Sequence, residues 1–396
     1  MMNRWKEIVY TIAAIQIGVG IAVMGVVTFI PLFIFDLGIE DPGQAAFWAG
    51  LISGITPFMI ALTNPWWTVQ CEKHGHKRIL MSILLCMTVL MLSTAFVQTP
   101  QELFFLRMLQ GASGGFIAIG LSLIAYVTPA EKLPWAMGLF QAAMVMGIMV
   151  GPVTGGLVAD TLGYRVPFLL FGGLAFFCFL LTYFLIHVKK PEKTEKSRVS
   201  MLENFRYFLS NPLIRLMILM QFLVNFGLTG IGPILPLYIK QMSGNSPMVA
   251  TLAGVILFAA GLTSALSSMS VGKLSSRIPH AKLLLGSTVV TGVLFIIQYW
   301  APNVFLLGVF RAMTGLSIGL IMPIANTILT TSVPAEKRSI VIGVTSSASM
   351  MGNVAGPICS GAIAMQYGYG AVFWSTALFF MAAAWMLWSR RGQFSH

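Results

Sequence analysis

GIMVGPVTGG, residues 147–156, returns 205 residues later as GNVAGPICSG, residues 352–361. Each copy lies inside a long apolar run. Gly147, Gly151 and Gly155 recur every four residues, so on a helix they share one face. A face without side chains lets two helix backbones approach closely in lipid. Pro152 leaves a carbonyl of the preceding turn unpaired and permits a bend. Gly352, Gly356, Pro357 and Gly361 repeat the arrangement, which predicts a flexing seam between two halves of the chain. Gly156 completes the first copy.

Other matches share this offset of 204 to 205 residues. RMLQGASGG (107–115) aligns with RAMTGLSIG (311–319), TPAEK (128–132) with VPAEK (333–337), FIPLFI (29–34) with ILPLYI (234–239), and Gln16 with Gln221. Parallel repeats with a binding site near the midplane are typical of secondary transporters.

Composition agrees. The 396 residues are 57% hydrophobic and 9% charged, against about 25% charged in soluble domains. Mean hydropathy is +0.84. A helix needs about 20 apolar residues to cross the hydrocarbon, and lipid makes helices the default because they satisfy their own backbone. Twelve spans are expected, near 9–35, 45–69, 79–98, 102–128, 135–160, 165–188, 212–239, 248–272, 281–300, 303–331, 339–365 and 371–389. The fold class is all-α integral membrane, with twelve transmembrane helices in two six-helix pseudo-repeat bundles. The bundles are residues 1–188 and 212–396, joined by a cytoplasmic linker at 189–211. The net charge of +12 comes from Lys and Arg in short loops on one side, as the positive-inside rule requires. It therefore reports topology and not nucleic acid. Both termini are expected in the cytoplasm. The four cysteines suggest no disulfide framework. No Gly-rich phosphate loop or Ser-His-Asp set is present, so an enzyme is not expected.

These motifs resemble those of the major facilitator superfamily, and within it the twelve-span drug:proton antiporters. The carriers are RMLQGASGG in span 4 and GIMVGPVTGG in span 5, the second being similar to the antiporter motif. The resemblance implies multidrug efflux at the cell membrane and antibiotic resistance. It implies export of small amphipathic compounds by proton antiport, with the proton gradient as energy source and no cofactor. The alternative is a proton-coupled or facilitative transporter of one metabolite, such as a sugar, an amphipathic acid or a lipid-linked head group. A functional monomer in the bilayer is expected.

Arg107 lies about 7 Å into span 4 at 1.5 Å per residue. Intramembrane charges are costly and usually functional, and in the family the matching arginine is implicated in proton coupling. Arg311 is its repeat mate. No Asp or Glu falls near the middle of a span, which departs from several drug antiporters. Asp36, at the outer end of span 1, is the best carboxylate candidate. Asp160 reads as a solvated helix end. Spans 1, 4, 7 and 10 are expected to line the cavity, with 2, 5, 8 and 11 behind them. The polar candidates there are Gln16, Gln110, Gln141, Gln221, Asn225, Asn326 and Asn353. The arginine favours neutral or anionic amphipathic substrates over strongly cationic ones.

WWTVQCEKHGHKR (66–78) offers Cys71, His74 and His76 as soft ligands, but one short loop does not easily wrap a tetrahedral ion. No metal is expected. The stretch sits where the family has a loop latch between spans 2 and 3. Gly75 and Lys77 are kept, Glu72 and Lys73 keep the charges, and Thr68 and His76 depart. The resemblance places Glu72 near the start of span 11. The second copy keeps Gly272 and Arg277 but has Ser276 for the acid.

Overall fold

The structure, a computed structural model, describes residues 4–188, 212–244, 246–334 and 338–389. The expected linker at 189–211 lies outside them. The described residues form fifteen α-helices and two short 3-10 turns. In the first half they are α1 (Arg4–Met24), α2 (Ile30–Asp36), α3 (Pro42–His74), α4 (His76–Thr94), α5 (Pro100–Ala112), α6 (Phe116–Val127), α7 (Leu133–Leu162) and α8 (Val166–Leu185). The second half has α9 (Pro212–Gly230), α10 (Ile234–Ser243), α11 (Val249–Ser275), α12 (His280–Tyr299), α13 (Val304–Thr331), α14 (Arg338–Tyr367) and α15 (Tyr369–Ser389).

Among the described residues, eleven helical segments are long and apolar enough to cross a membrane. The 30-residue α14, the expected span 11, is not one of them. Its Ser, Gly and Asn residues dilute the hydropathy that length alone would supply.

Spans 1, 4 and 7 are each broken, which the apolar runs do not reveal. The first break is a 3-10 turn at Gly25–Thr28, and the others fall between α5 and α6 and between α9 and α10. Gly114–Gly115 marks the second and Gly232–Pro233 the third. Backbone groups freed in lipid need local partners. Thr28 Oγ1 supplies one by donating to Pro152 O at 3.3 Å.

The helix starts follow local chemistry. Thr99 caps α5 by accepting from the Glu102 N–H at 3.3 Å, while Glu102 accepts from the Gln98 N–H at 2.8 Å and Pro100 opens the helix. This is a variant of the capping box, with the carboxylate reaching the N–H of the residue before the N-cap. Asn303 caps α13 through the Leu306 N–H at 2.9 Å.

The expected loop between spans 2 and 3 is instead almost all helix. α3 continues to His74 and α4 begins at His76, so Glu72 and Lys73 sit on the last turn of α3. Gly75 alone makes the turn, at φ +87°, a conformation that other residues enter only at a cost. Gly75→Ala is expected to cost roughly 1–2 kcal/mol and to lower the thermal unfolding midpoint in detergent. An unchanged midpoint would show that the turn relaxes without glycine.

The chain divides into two compact units. Unit 1 comprises Met1–Glu40, Leu51–Lys196 and Pro247–Gly254, and unit 2 comprises Asp41–Gly50, Ser197–Ser246 and Val255–His396. In unit 1, α1 packs mainly on α7, and α4 on α8. In unit 2, α9 packs mainly on α14, and α12 on α15 and α13. Spans 1–5 and 3–6 thus repeat as 7–11 and 9–12.

Candidate functional site

In unit 1 the glycine face of α7 lies against α1. A Cβ on Gly147 would stand 2.8 Å from Gly20 Cα, and one on Gly151 3.0 Å from Gly25 N and Ile21 O. A Cβ on Gly155 would collide with the carbonyl of Gly25. Gly147, Gly151 and Gly155 therefore pack span 5 on span 1. They share a face, which meets α1 and the 3-10 turn that follows it. Gly156 points elsewhere: its Cβ would collide with Ala250 O. Gly254 in turn meets Pro152 O.

Unit 2 repeats this geometry. Gly352 and Gly356 face α9 at Phe222 O and Phe226 O. A Cβ on Gly361 would stand 2.7 Å from Ala46 O, and one on Gly50 would collide with Pro357 O. Each copy of the proline–glycine motif is thus a seat for a helix start of the form Ala-x-x-x-Gly, Ala250–Gly254 in one case and Ala46–Gly50 in the other. Sequence reasoning missed these four residues. The available signal was small-residue spacing at the common offset, since Ala46 and Gly50 lie 204 residues before Ala250 and Gly254.

Arg107 is 4% exposed and Arg311 3%. Two guanidinium nitrogens of each, Nε and Nη2 of Arg107 and Nε and Nη1 of Arg311, are buried without a hydrogen-bond partner among the described residues. The Arg311 guanidinium carbon stands 5.6 Å from the centre of the Phe295 ring, within range of a cation–π contact. One turn after each arginine runs a hydrogen bond to the neighbouring span. Gln110 Nε2 donates to Thr94 Oγ1 at 3.2 Å in unit 1, and Gln298 Nε2 donates to Thr314 Oγ1 at 2.8 Å in unit 2. Gln110 and Thr314 are equivalent at the 204-residue offset, as are Thr94 and Gln298. The bond is kept while its two side chains trade helices. That exchange hides Thr94, Gln298 and Thr314 from any residue-by-residue match. Gln110 Oε1 and Gln298 Oε1 are buried and unpartnered in both units.

The other polar candidates scatter. Gln221 is a node: its Nε2 donates to Asn326 Oδ1 at 2.6 Å and its Oε1 accepts from Ser349 Oγ at 3.1 Å. Asn225 Nδ2 donates to the Gln221 carbonyl at 2.8 Å. The cluster joins α9, α13 and α14 within unit 2. Gln16, the mate of Gln221, is buried with no partner for Oε1, as is Asn353 Oδ1. Gln141 is exposed.

Asp36 is exposed at the end of α2. Asp160 is not the solvated helix end expected. Its carboxylate accepts from Ala250 N at 3.3 Å, Thr251 N at 2.7 Å and Thr251 Oγ1 at 2.7 Å.

In the latch region Lys77 Nζ donates to Tyr183 O at 2.7 Å. His76 Nε2 pairs with Ser122 Oγ at 3.0 Å, its ring stacked on Tyr126, while His74 Nδ1 pairs with Gln70 O at 3.2 Å. His74 and His76 therefore have separate partners. Glu72 and Lys73 are exposed, as are Gly272 and Arg277 in the second copy. Residues 335–337, just before α14, lie outside the described residues, as do the side chains of 339 and 340.

The sequence profile of the Major Facilitator Superfamily matches residues 12–279 and 217–393. The chain belongs to this superfamily. It is 32% identical to Multidrug resistance protein MdtG of Salmonella arizonae over 376 residues, covering 94% of this chain and 93% of that one. Against MdtG of Klebsiella pneumoniae it is 30% identical over 358 residues, covering 90% and 87%. Among solved structures, the nucleoside transporter NupG aligns at a TM-score of 0.78 with 13% identity, covering 98% of this chain and 98% of NupG. A bacterial homolog of the human lysosomal transporter Spinster, inward-facing and occupied, aligns at 0.83 with 14% identity, covering 98% and 96%. The superfamily fold follows, and with it a membrane transporter of small molecules, not an enzyme.

Proposed function

We propose that this superfamily transporter exports small amphipathic compounds, drugs among them, by proton antiport with alternating access. It does so as a monomer in the cell membrane with both termini cytoplasmic. The observation that carries this reading is the pair of proline–glycine seats, each holding an Ala-x-x-x-Gly helix start against a bare backbone face. Such contacts, built from small residues alone, let packed helices part and re-form without side chains to unlock. Similarity to proteins named for multidrug resistance, over nine-tenths of the chain, supports the export of drugs. Lys and Arg gathered in one set of loops support the orientation. Arg107 and Arg311 are the coupling candidates inside the bundles, and Asp36 is a carboxylate candidate in contact with water. The region around Glu72, Lys73, Gly75 and Lys77, with its second copy at Gly272 and Arg277, is the candidate latch.

The Gln221–Asn326–Ser349 cluster favours a second reading, transport of one defined metabolite, because fixed polar groups select by direction. Flux in proteoliposomes decides between them. Export of several unrelated toxic compounds, each accelerated by an imposed pH gradient, is the expected result. A single accepted metabolite would establish the second reading, and flux indifferent to the gradient at every pH would remove proton antiport.

A further inference from the structure

The packing of spans 3 and 6 repeats in spans 9 and 12, but one tie does not. In unit 1 the start of α4 is fastened to the end of α8. Lys77 Nζ donates to Tyr183 O at 2.7 Å and stands 5.5 Å from the centre of the Tyr183 ring. At the repeat offset the mate of Lys77 is Ala281, and the mate of Tyr183 is Trp388. Alanine has neither charge nor reach, so the start of α12 and the end of α15 lack this tie.

An open groove of about 280 Å³ runs between α12 and α15 at that end. Leu285 and Val289 line it from α12, and Met381, Ala384, Trp385 and Trp388 from α15. Beside Leu285, Gly286 stands where unit 1 has Ser82. A Cβ on Gly286 would meet nothing within 4 Å. Both indoles are exposed, Trp385 at 65% and Trp388 at 52%.

A charge sits at the mouth of the groove. Lys282 lies in the first turn of α12, and Trp388 is next to last in α15. Lys282, Leu285 and Val289 are three and four residues apart, so they share one stripe of the helix. Lys282 is exposed, and its ammonium has no hydrogen-bond, ion-pair or ring partner among the described residues.

These features select an occupant. Both helices are long and apolar enough to span the membrane, so acyl chains reach the groove. Tryptophan gathers at the level of the headgroups, and a lysine stem extends from apolar surface to that level. An ammonium there attracts an anionic headgroup, and a zwitterionic one offers it no net charge. A soluble anion would leave the apolar lining and both indoles uncovered.

We propose that the α12–α15 groove binds a phospholipid with an anionic headgroup, one acyl chain lying between the helices and the phosphate at Lys282. The lipid takes the place in unit 2 that the Lys77–Tyr183 tie holds in unit 1. In the orientation proposed above it belongs to the cytoplasmic leaflet.

Photocrosslinking on the full chain in nanodiscs tests this binding. The probes are phosphatidylglycerol and phosphatidylcholine with a diazirine on one acyl chain, and peptide mass locates the adducts. Both leaflets of a nanodisc hold the same lipids, so an error in the orientation leaves the result unchanged. In segments 281–290 and 380–389 the wild type should carry about fivefold more phosphatidylglycerol than phosphatidylcholine, the factor for one lysine near the surface. Lys282→Gln should remove this preference, and Lys282→Arg should keep it. Equal labelling by the two lipids in the wild type, or a preference kept in Lys282→Gln, overturns the proposal. An equal preference in segments 77–86 and 176–185 also overturns it, by making the effect a property of the whole lipid annulus. So does an unlabelled groove, and two chains per particle in native mass spectra would then assign the groove to a second copy of this chain.

Discussion

Gly155→Val is expected to abolish transport and to lower the thermal unfolding midpoint further than any other single substitution on α7. A Cβ at this position would collide with the carbonyl of Gly25, with the carbonyl carbon 2.5 Å and Cα 2.8 Å away. All three are backbone atoms, so no rotamer change relieves the contact. α1 and α7 must separate, and the rest of their interface separates with them. Overpacking usually costs about 1–3 kcal/mol, occasionally more. A branched side chain against fixed backbone belongs at the upper end. Gly138→Ala on the same helix is the control. Its Cβ would meet nothing within 4 Å, and replacing an interior glycine gains up to about 1 kcal/mol of helix propensity. Unfolding in detergent and flux in proteoliposomes check both variants. Near-wild-type flux in Gly155→Val would mean that the close approach of α1 and α7 is dispensable.

Arg107→Met should have the opposite signature: flux strongly reduced, because an intramembrane charge is functional by default, with stability unchanged or raised. The guanidinium is 4% exposed, and its Nε and Nη2 have no hydrogen-bond partner among the described residues. A buried charge with unpaired donors is a cost to the fold. A methionine of similar length removes that cost, and replacing buried ionic groups by well-packed apolar ones is often neutral or stabilising by about 1–4 kcal/mol. Arg107→Lys keeps the charge but loses the planar fork of donors and should fall between the two. The same comparison at Arg311 shows whether both bundles take part in coupling. Full activity with raised stability would exclude Arg107 from the mechanism, and a large loss of stability would make it a structural residue.

The motifs legible in the sequence are those written in small residues at fixed spacing. Gly147, Gly151, Gly155 and Gly156 are visible as a pattern, but their partners are not. The pattern says that something approaches closely. It does not say that three glycines meet span 1, at α1 and its 3-10 break, and the fourth meets Ala250. Asp160 shows the same limit from the polar side. Near the end of an apolar run a carboxylate looks solvated, and its donors lie 90 and 91 residues away in the chain. The Gln–Thr bond beside each arginine is invisible for a different reason. Its symmetry is one of contact and not of residue type, so aligning the halves pairs Gln110 with Thr314 and shows no hydrogen bond.

Hydropathy and repetition are properties of the chain read in one dimension. From them alone came a membrane protein of long helical spans, a duplicated architecture and its resemblance to the superfamily. Helix continuity through 66–74, the breaks at 25–28, 113–115 and 231–233, and the partners of each glycine, arginine and carboxylate were decided only in the tertiary structure. They depend on which backbones come within about 3–4 Å of one another, and residues remote in sequence set that distance.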